Sequence, residues 1–350
     1  MNETTELPAT AAEKPSLARR ALWLLLRMVR DVVLGVVVLW SVMAVYYSNL
    51  PAPSMRTVAF CAYLLALLAV LVLARPWWVK RLLCLGGFIV VLIWFLLIPP
   101  SNDRDWQPDL AVLPYAEIKG DEVTLHNIRN CDYRSETDYR VRHYDKTLDL
   151  RKLQSVDFFV VYWGSPLIAH TMLSFGFGGN DYICFSIETR KEKGEAYSAI
   201  KGFFRQFELT YVVADERDLV RLRTNYRGEQ VYLYRLKTDP EVAKMVFLDY
   251  LKEVNRLKAR PEWYNALTSN CTTNIRGHTR AYTKNKGFDW RIIVNGHIDE
   301  MAYERGSLDQ SLPFAQLKSR SLVNERGKAA DQSPDFSTRI REGLPGIPNA

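Results

Sequence analysis

Three runs of apolar residues dominate the first hundred positions of the chain: Val32–Tyr47, Thr57–Ala74 and Leu82–Pro99. Each run is roughly 16–19 residues long, close to the length that a helix needs to cross the hydrocarbon core of a bilayer. None of them has the polar face that a surface helix of a soluble protein normally presents. The pattern therefore predicts three transmembrane helices within residues 21–100.

Positive charges beside these runs predict how the chain is oriented. Lys and Arg are frequent before the first run and in the loop Arg75–Arg81, whereas the loop Ser48–Met55 contains neither. Because cytoplasmic loops are enriched in positive charge, residues 1–20 and the second loop are predicted to be cytoplasmic. We therefore expect a bacterial inner-membrane protein whose C-terminal domain is periplasmic. The net charge of +7 does not indicate nucleic-acid binding, because the basic residues beside the spans account for much of it.

Beyond residue 100 the pattern changes to short apolar runs that alternate with turns, which predicts an α+β domain over residues 101–306. The predicted strands are Phe158–Trp163, Leu167–Phe177, Tyr182–Arg190, Glu208–Ala214 and Gln230–Leu236, of which the first three begin an antiparallel sheet. A helix is predicted over Pro240–Leu257, capped by Asp239, and another near Asn270. Residues 307–350 are rich in Ser, Pro, Arg and Asp and are expected to form an extended arm or partly disordered tail.

The predicted periplasmic domain, called the outer domain from here on, contains three cysteines. At least one of their thiols is therefore unpaired unless it forms a disulfide with a partner. Cys184 lies within a predicted strand, which favours a buried structural thiol. Cys271 follows Thr268-Ser269-Asn270, all residues that favour helix caps. At a helix N-terminus, exposed N–H groups and the helix dipole lower the pKa of a thiol. Cys271 is therefore the candidate nucleophile.

A nucleophilic thiol needs a base, and the base needs a group that orients it. His170 lies in an otherwise apolar predicted strand, a position at which histidine is more often structural. If the Gly178–Asn180 loop has three residues, His170 faces Glu188 on the next strand, whereas a loop of two or four residues presents Thr189. The glycine-rich loop favours the three-residue hairpin. Glu188 is therefore the predicted partner of His170.

Five stretches of the outer domain resemble the N-terminal periplasmic domain of the Lnb lipoprotein N-acyltransferase family. They are Tyr162–Phe177, Phe185–Arg190, Lys201–Gln206, Ala214–Asp218 and Tyr264–Thr273. The resemblance covers roughly residues 106 to 345. It implies a permuted papain-like domain of the NlpC type, in which the catalytic histidine precedes the cysteine along the chain. The chain also resembles lecithin–retinol acyltransferase in that order.

By that resemblance Cys271 is the nucleophile, His170 the base and Glu188 the third catalytic residue. The implied reaction takes an acyl group from a membrane phospholipid and passes it through a cysteine thioester to an amine, such as a lipoprotein N-terminus. We expect Arg190, Tyr264 and Asn265, which flank the motifs, to bind substrate. Asn270 and Thr272 are expected at the helix start, whose backbone N–H groups would stabilise the oxyanion.

Two other functions remain open at the level of the sequence. The same residues could hydrolyse cell-envelope peptides, or the domain could be a membrane-anchored interaction module without catalysis. No paired His or Cys has the spacing of metal ligands, so no metal or other cofactor is expected. The expected partners are the lipid bilayer, a phospholipid donor and a lipoprotein or envelope-peptide acceptor, and not a nucleic acid.

Overall fold

The computed structural model describes residues 16–50, 52–283, 287 and 289–348. The chain divides into two compact units, Met1–Pro99 and Pro100–Ala350. The first unit contains the apolar runs, and the second contains every residue predicted to take part in chemistry.

Three helices form the described part of the first unit: α1 (Leu17–Tyr46), α2 (Pro53–Leu73) and α3 (Trp77–Leu97). By length and composition each could cross a membrane, as the apolar pattern predicts. Most of their large apolar side chains are exposed, which suits a lipid environment and not water. The first helix is longer than its apolar run, because it extends through Arg27, Arg30 and Asp31. Asp31 is ion-paired with Arg30 and Arg81.

Within its described residues, the second unit has the strands β1 (Tyr115–Lys119), β2 (Glu122–Arg129), β3 (Asp132–Tyr133), β4 (Tyr139–Arg140), β5 (His143–Asp149), β6 (Ser155–Tyr162), β7 (Ala169–Gly176), β8 (Tyr182–Arg190), β9 (Glu208–Ala214) and β10 (Gln230–Arg235). Eight of these strands form one sheet in the order β1-β2-β9-β8-β7-β6-β10, with β5 beside β2. The short strands β3 and β4 pair separately. The described strand pairs are antiparallel except β2–β9, so the predicted α+β class with a largely antiparallel sheet is confirmed.

The hairpin between β7 and β8 has the predicted three-residue loop. Phe177 donates its N–H to the carbonyl of Asp181 at 2.8 Å, and Met172 pairs with Ser186 further along the strands. Gly178 and Gly179 both have positive φ, a conformation that glycine adopts without strain. This register places His170 opposite Glu188.

In the described part of the second unit, seven α-helices surround the sheet: α4 (Glu216–Arg221), α5 (Pro240–Ala259), α6 (Cys271–Thr279), α7 (Ile298–Glu304), α8 (Phe314–Arg320), α9 (Asn324–Ala329) and α10 (Phe336–Arg339). The predicted cap of α5 is confirmed, since the Asp239 side chain accepts a hydrogen bond from the N–H of Glu241. Helices α5 and α6 pack in one apolar core with β6 to β9. A second core joins the sheet to α4 and to the C-terminal segment.

The C-terminal segment is not the extended arm or disordered tail that its composition suggested. Val323, Phe336 and Ile340 are fully buried, and the N–H of Val323 donates to the carbonyl of Val231 in β10. Arg341 is also buried and is hydrogen-bonded to two buried carboxylates. The polar composition was misleading because it is the sparse apolar residues of this segment that cover the sheet.

Candidate active site

Cys271 is the first residue of helix α6, as predicted. The preceding Asn270 accepts a hydrogen bond from the N–H of Thr273 and donates its own N–H to the Thr273 hydroxyl, each at 2.9 Å. This reciprocal capping fixes where the helix begins. The first N–H groups of a helix have no partner within it, so the start of α6 offers donors and a positive partial charge beside the thiol.

His170, at the start of β7, lies close enough to Cys271 for the two side chains to shift each other's pKa. The next residue of the strand, Thr171, also lies near the thiol and helps to lower its pKa. Cys271 is 7% exposed and the His170 side chain 12% exposed, so the pair is largely sheltered from water yet still reachable. The structure therefore brings together the two residues predicted as nucleophile and base.

The far side of the His170 ring is held by Ser186 and Glu188. His170 Nε2 lies 2.7 Å from Ser186 Oγ and 3.3 Å from Glu188 Oε1. Ser186 donates its hydroxyl to the same Glu188 oxygen at 2.6 Å. Because both partners approach Nε2, Nδ1 is the ring nitrogen that remains for the thiol. This arrangement can fix the ring and stabilise a positive charge on it.

Arg223 completes this cluster by binding the same Glu188 oxygen, Oε1, that His170 and Ser186 contact. Its Nη2 donates to Glu188 Oε1 at 2.7 Å, and its side chain is only 5% exposed. Arg223 lies in Leu222–Tyr226, a π-helical turn that directly follows α4. Arg223 was not among the predicted site residues, because nothing in the spacing of residues indicates that this turn reaches β8.

The charges of these residues shift one another's pKa values. Burial alone would raise the pKa of Glu188, but His170 and Arg223 outweigh it and hold that pKa well below its ordinary value. Burial disfavours a charged His170, yet Glu188 and Cys271 outweigh burial and raise its pKa to about 9. For Cys271, burial is outweighed by His170 and Thr171, which lower the pKa to about 7. Between these values the pair is an imidazolium and a thiolate.

Asn295 ties the start of β7 to the start of α6. Its side chain accepts the N–H of Ala169 at 2.9 Å and donates to the carbonyl of Ala169 at 2.6 Å. It also donates to the Thr272 hydroxyl at 2.7 Å, and its Nδ2 lies 4.0 Å from Cys271 Sγ. Thr272 thus lies beside the thiol, as its predicted place at the helix start requires. No pattern in the sequence points to Asn295, which lies 24 positions after the cysteine.

The three residues predicted to bind substrate lie in different surroundings. Tyr264 is buried and lies near both Cys271 and the exposed Tyr197. Asn265 accepts the N–H groups of Leu267 and Thr268 and so shapes the turn that leads to Cys271. Tyr264 is therefore the residue of the three that lies at the reacting thiol.

Arg190 is engaged elsewhere, contrary to the expectation that it lines the site. Its guanidinium donates to the carbonyls of Leu110 and Ala111 and to the side chain of Asn102. It also stacks on Trp106, with 4.1 Å between the guanidinium carbon and the ring centroid. Arg190 thus fastens the segment that enters the outer domain. The sequence around Glu188 does not indicate whether Arg190 binds substrate or holds a neighbouring segment of the protein.

An open cavity of about 650 Å³ lies beside the loop that joins β6 to β7. Aromatic side chains and a lysine line it, among them Tyr162, Trp163, Tyr232 and Lys318. Lys318 is hydrogen-bonded to Tyr162 and ion-paired with the buried Asp299, so its charge is neutralised by the protein itself. Cys271 does not line this cavity, which is therefore a neighbour of the site.

Residues 140–296 match the family model of the Lnb N-terminal periplasmic domain. The chain matches no curated protein and no solved structure, so its relation to the permuted papain-like enzymes stays a prediction. The matched segment contains β7, β8 and the start of α6, and hence His170, Glu188, Cys271 and Asn295. The three apolar helices and the matched segment indicate a membrane protein with a periplasmic domain, and residues 140–296 of this chain are similar to the Lnb N-terminal periplasmic domain family.

Proposed function

We propose that the protein is a cysteine acyltransferase anchored in the inner membrane, with its N-terminus in the cytoplasm and its active site in the periplasm. The observation that carries this proposal is the contact of Cys271, at the start of α6, with His170, whose ring is held by Ser186 and Glu188. A thiolate at a helix N-terminus beside an oriented imidazolium is the arrangement that nucleophilic cysteine catalysis needs. The basic flanks of the spans support the topology.

In the first half of the proposed reaction the Cys271 thiolate attacks the carbonyl carbon of a phospholipid ester. The oxyanion that forms is stabilised by N–H groups at the start of α6. The His170 imidazolium then gives its proton to the departing alcohol oxygen. A lysophospholipid leaves, and the acyl group remains on Cys271 as a thioester.

In the second half an amine of the acceptor, such as the N-terminus of a diacylated lipoprotein, attacks the thioester carbonyl. The neutral His170 takes the proton that the amine loses as the new amide forms. The carbon–sulfur bond breaks and Cys271 leaves as a thiolate, so the starting ion pair is restored. Glu188 and Arg223 keep a charged network around His170 through both halves.

The proposal is tested with the full chain in nanodiscs that contain a phospholipid with an isotope-labelled acyl chain and a diacylated lipopeptide. We expect labelled triacylated lipopeptide and lysophospholipid, both detected by mass spectrometry. Cys271→Ser should abolish both products. Cys61→Ala is the matched control, because it removes an exposed cysteine of the span α2 and should leave the products unchanged.

Other outcomes would replace this proposal with one of its rivals. Labelled fatty acid without acylated lipopeptide would indicate a hydrolase. Cleavage of wall peptides that depends on Cys271, without any lipid product, would indicate a peptidase. A Cys271→Ser chain that supports cell growth as well as the wild type, with no product in either, would indicate an interaction domain.

A further inference from the structure

Six large apolar side chains are exposed on four separate segments of the outer domain that approach Cys271. We call this set the apolar rim: Trp163, Leu167, Ile168, Phe203, Leu267 and Trp290. Each leaves 40–56% of its surface exposed. Scattered exposed apolar residues are normal on a protein surface, but a contiguous group of them marks a site that binds a protein, a ligand or a membrane.

Two segments of the rim are joined beside the thiol by the Asn295–Gly296 pair. The N–H of Gly296 donates to the carbonyl of Leu167 at 2.9 Å, while Asn295 holds Thr272 next to Cys271. Trp290 lies close by, with its ring 6.0 Å from that of His297. Leu167 and Trp290 thus lie on segments that both contact the Asn295–His297 stretch beside the nucleophile.

The other two segments of the rim are joined by Ala266. Its N–H donates to the carbonyl of Gly202 at 3.3 Å, which brings the segments of Phe203 and Leu267 side by side. The carbonyl of Ala266 accepts a hydrogen bond from the side chain of Asn270 at 2.8 Å. Since Asn270 caps the helix that begins at Cys271, this part of the rim also borders the nucleophile.

Two other exposed apolar residues of the outer domain lie on elements that carry no rim residue. Ile118 is on the edge strand β1, and Met245 is on α5. They therefore provide a comparison for the rim. The aromatic members of the rim, with one polar ring edge in each tryptophan, are of the type found at membrane–water interfaces.

The polypeptide enters the outer domain next to the rim. Asn102 donates to the carbonyls of Leu257 and Lys258, and Arg104 stacks over Trp263, 5.3 Å from its ring centroid. Trp263 directly precedes Tyr264 and the turn that contains Leu267. The span α3 ends at Leu97, so the connection to this docked segment is only a few residues, at most about 3.5 Å each.

We propose that the apolar rim docks on the bilayer, with its side chains inserted into the adjacent leaflet of the membrane that holds the three spans. The short tether favours this surface over any soluble partner, because it keeps the rim at a high effective concentration beside the lipid. Docking places the opening to Cys271 against lipid. The contact does not depend on whether Cys271 reacts.

The test uses the full chain in nanodiscs of phosphatidylethanolamine and phosphatidylglycerol that include a phospholipid with a diazirine in its acyl chain. After illumination, proteolysis and mass spectrometry locate the lipid adducts. We expect adducts on the peptides that carry Leu167, Phe203, Leu267 and Trp290, in the wild type and equally in Cys271→Ala. Adducts on the three spans show that the probe works. Failure of the acyltransferase reaction would leave this result unchanged.

A variant with Leu167→Gln, Phe203→Gln, Leu267→Gln and Trp290→Gln should lose these adducts at least about tenfold, because each replaced side chain contributed apolar burial. The matched control, with Ile118→Gln and Met245→Gln, should not change them. Wild-type rim peptides that acquire no more lipid than the peptides of Ile118 and Met245 would overturn the proposal. That outcome does not depend on the variants being folded.

Discussion

His170 Nε2 and Glu188 Oε1 lie 3.3 Å apart across the β7–β8 pair, and the Ser186 hydroxyl bridges them. This contact holds a positive charge beside Cys271, because it favours the protonated form of the ring. It links the geometry of one hairpin to the state of a thiol on a helix 101 positions after the histidine. The pH dependence of the site should therefore change when either member of the contact is replaced.

The first prediction concerns the pH at which Cys271 becomes reactive. A thiol is alkylated as its thiolate, so labelling of Cys271 by iodoacetamide should rise as the pH passes through the thiol pKa of about 7. His170→Ala removes the charge that lowers this pKa, so the midpoint should move up toward an ordinary thiol value, about 8.5. Peptide mass spectrometry at a series of pH values measures the midpoint of Cys271 labelling in the wild type and in His170→Ala.

Cys184 is the internal control for that experiment. It is fully buried, and burial raises its pKa well above the ordinary value, so it should stay unlabelled across the same pH range. An equal midpoint for Cys271 in the wild type and in His170→Ala would contradict the coupling.

The second prediction concerns the alkaline limit of activity. A proton on His170 is needed for the leaving alcohol, and its pKa of about 9 keeps that proton in place well above neutral pH. Glu188→Gln removes the main stabilising charge, so the alkaline limb should move down toward the ordinary pKa, about 6.5. At a pH of about 8 the rate should fall at least about tenfold, since each pH unit above the pKa reduces the protonated fraction about tenfold.

The measurement is the rate of lysophospholipid release as a function of pH. Glu117→Gln is the control, because it removes an exposed carboxylate on β1 and should leave the profile in place. If Glu188→Gln lowers the rate equally at every pH, Glu188 supports the fold of the site without setting the charge of His170.

The candidate site could be predicted from the sequence where a local rule fixed the geometry. The loop Gly178–Asn180 sets the register of a hairpin, and from that register the pairing of His170 with Glu188 follows directly. Arg223 and Asn295 could not be predicted in this way. They reach the site through tertiary contacts between distant segments, and neither lies in a pattern that specifies those contacts.

The same limit explains the errors in the fold. The strands β1, β2 and β5 went unpredicted because most of their residues are polar, as in Glu122–Arg129, so their few apolar positions did not stand out as strands. In the C-terminal segment the few apolar residues pack against a sheet that the segment's own sequence does not reveal. The strands β6 and β9 were predicted well because they are mainly apolar on both faces.

The third prediction concerns the close approach of Gly296 to the loop before β7. A Cβ at this position would lie 2.0 Å from the carbonyl oxygen of Pro166 and 2.5 Å from the carbonyl carbon of Leu167. Gly296→Ala should therefore lower the free energy of unfolding by about 1–3 kcal/mol, as overpacking does. The shift of this loop should also slow alkylation of Cys271.

Gly277→Ala is the matched substitution. Gly277 lies within α6, and no atom comes within 4 Å of the place that a Cβ would take, so alanine should stabilise the helix by about 1 kcal/mol. Denaturant unfolding of the full chain in detergent measures both variants. If the two alanine substitutions change the free energy of unfolding equally, the space around Gly296 is larger than the structure shows.

The fourth prediction tests the docking of the C-terminal segment. Arg341 donates to Asp157 at 2.9 Å and to Glu216 at 2.6 and 2.7 Å, and both carboxylates are fully buried. Arg341→Met leaves the buried Glu216 without the cation that pairs with it, while Asp157 keeps Arg235, and this should lower the free energy of unfolding by about 3–5 kcal/mol.

Arg339→Met provides the comparison two residues away. Arg339 forms an exposed ion pair with Asp335, so its loss should cost at most about 1 kcal/mol. Thermal unfolding followed by circular dichroism distinguishes the two. A variant at Arg341 that is as stable as the one at Arg339 would mean that the segment is not part of the folded core.

The proposed mechanism is tested most directly by whether an acyl group forms a thioester on Cys271. The full chain is incubated with labelled phospholipid without an acceptor, digested at low pH, and its peptides are examined by mass spectrometry. The mechanism predicts the mass of one acyl chain on the peptide that contains Cys271, removed by hydroxylamine and absent in His170→Ala. An unmodified Cys271 under conditions in which lysophospholipid is nevertheless released would contradict it.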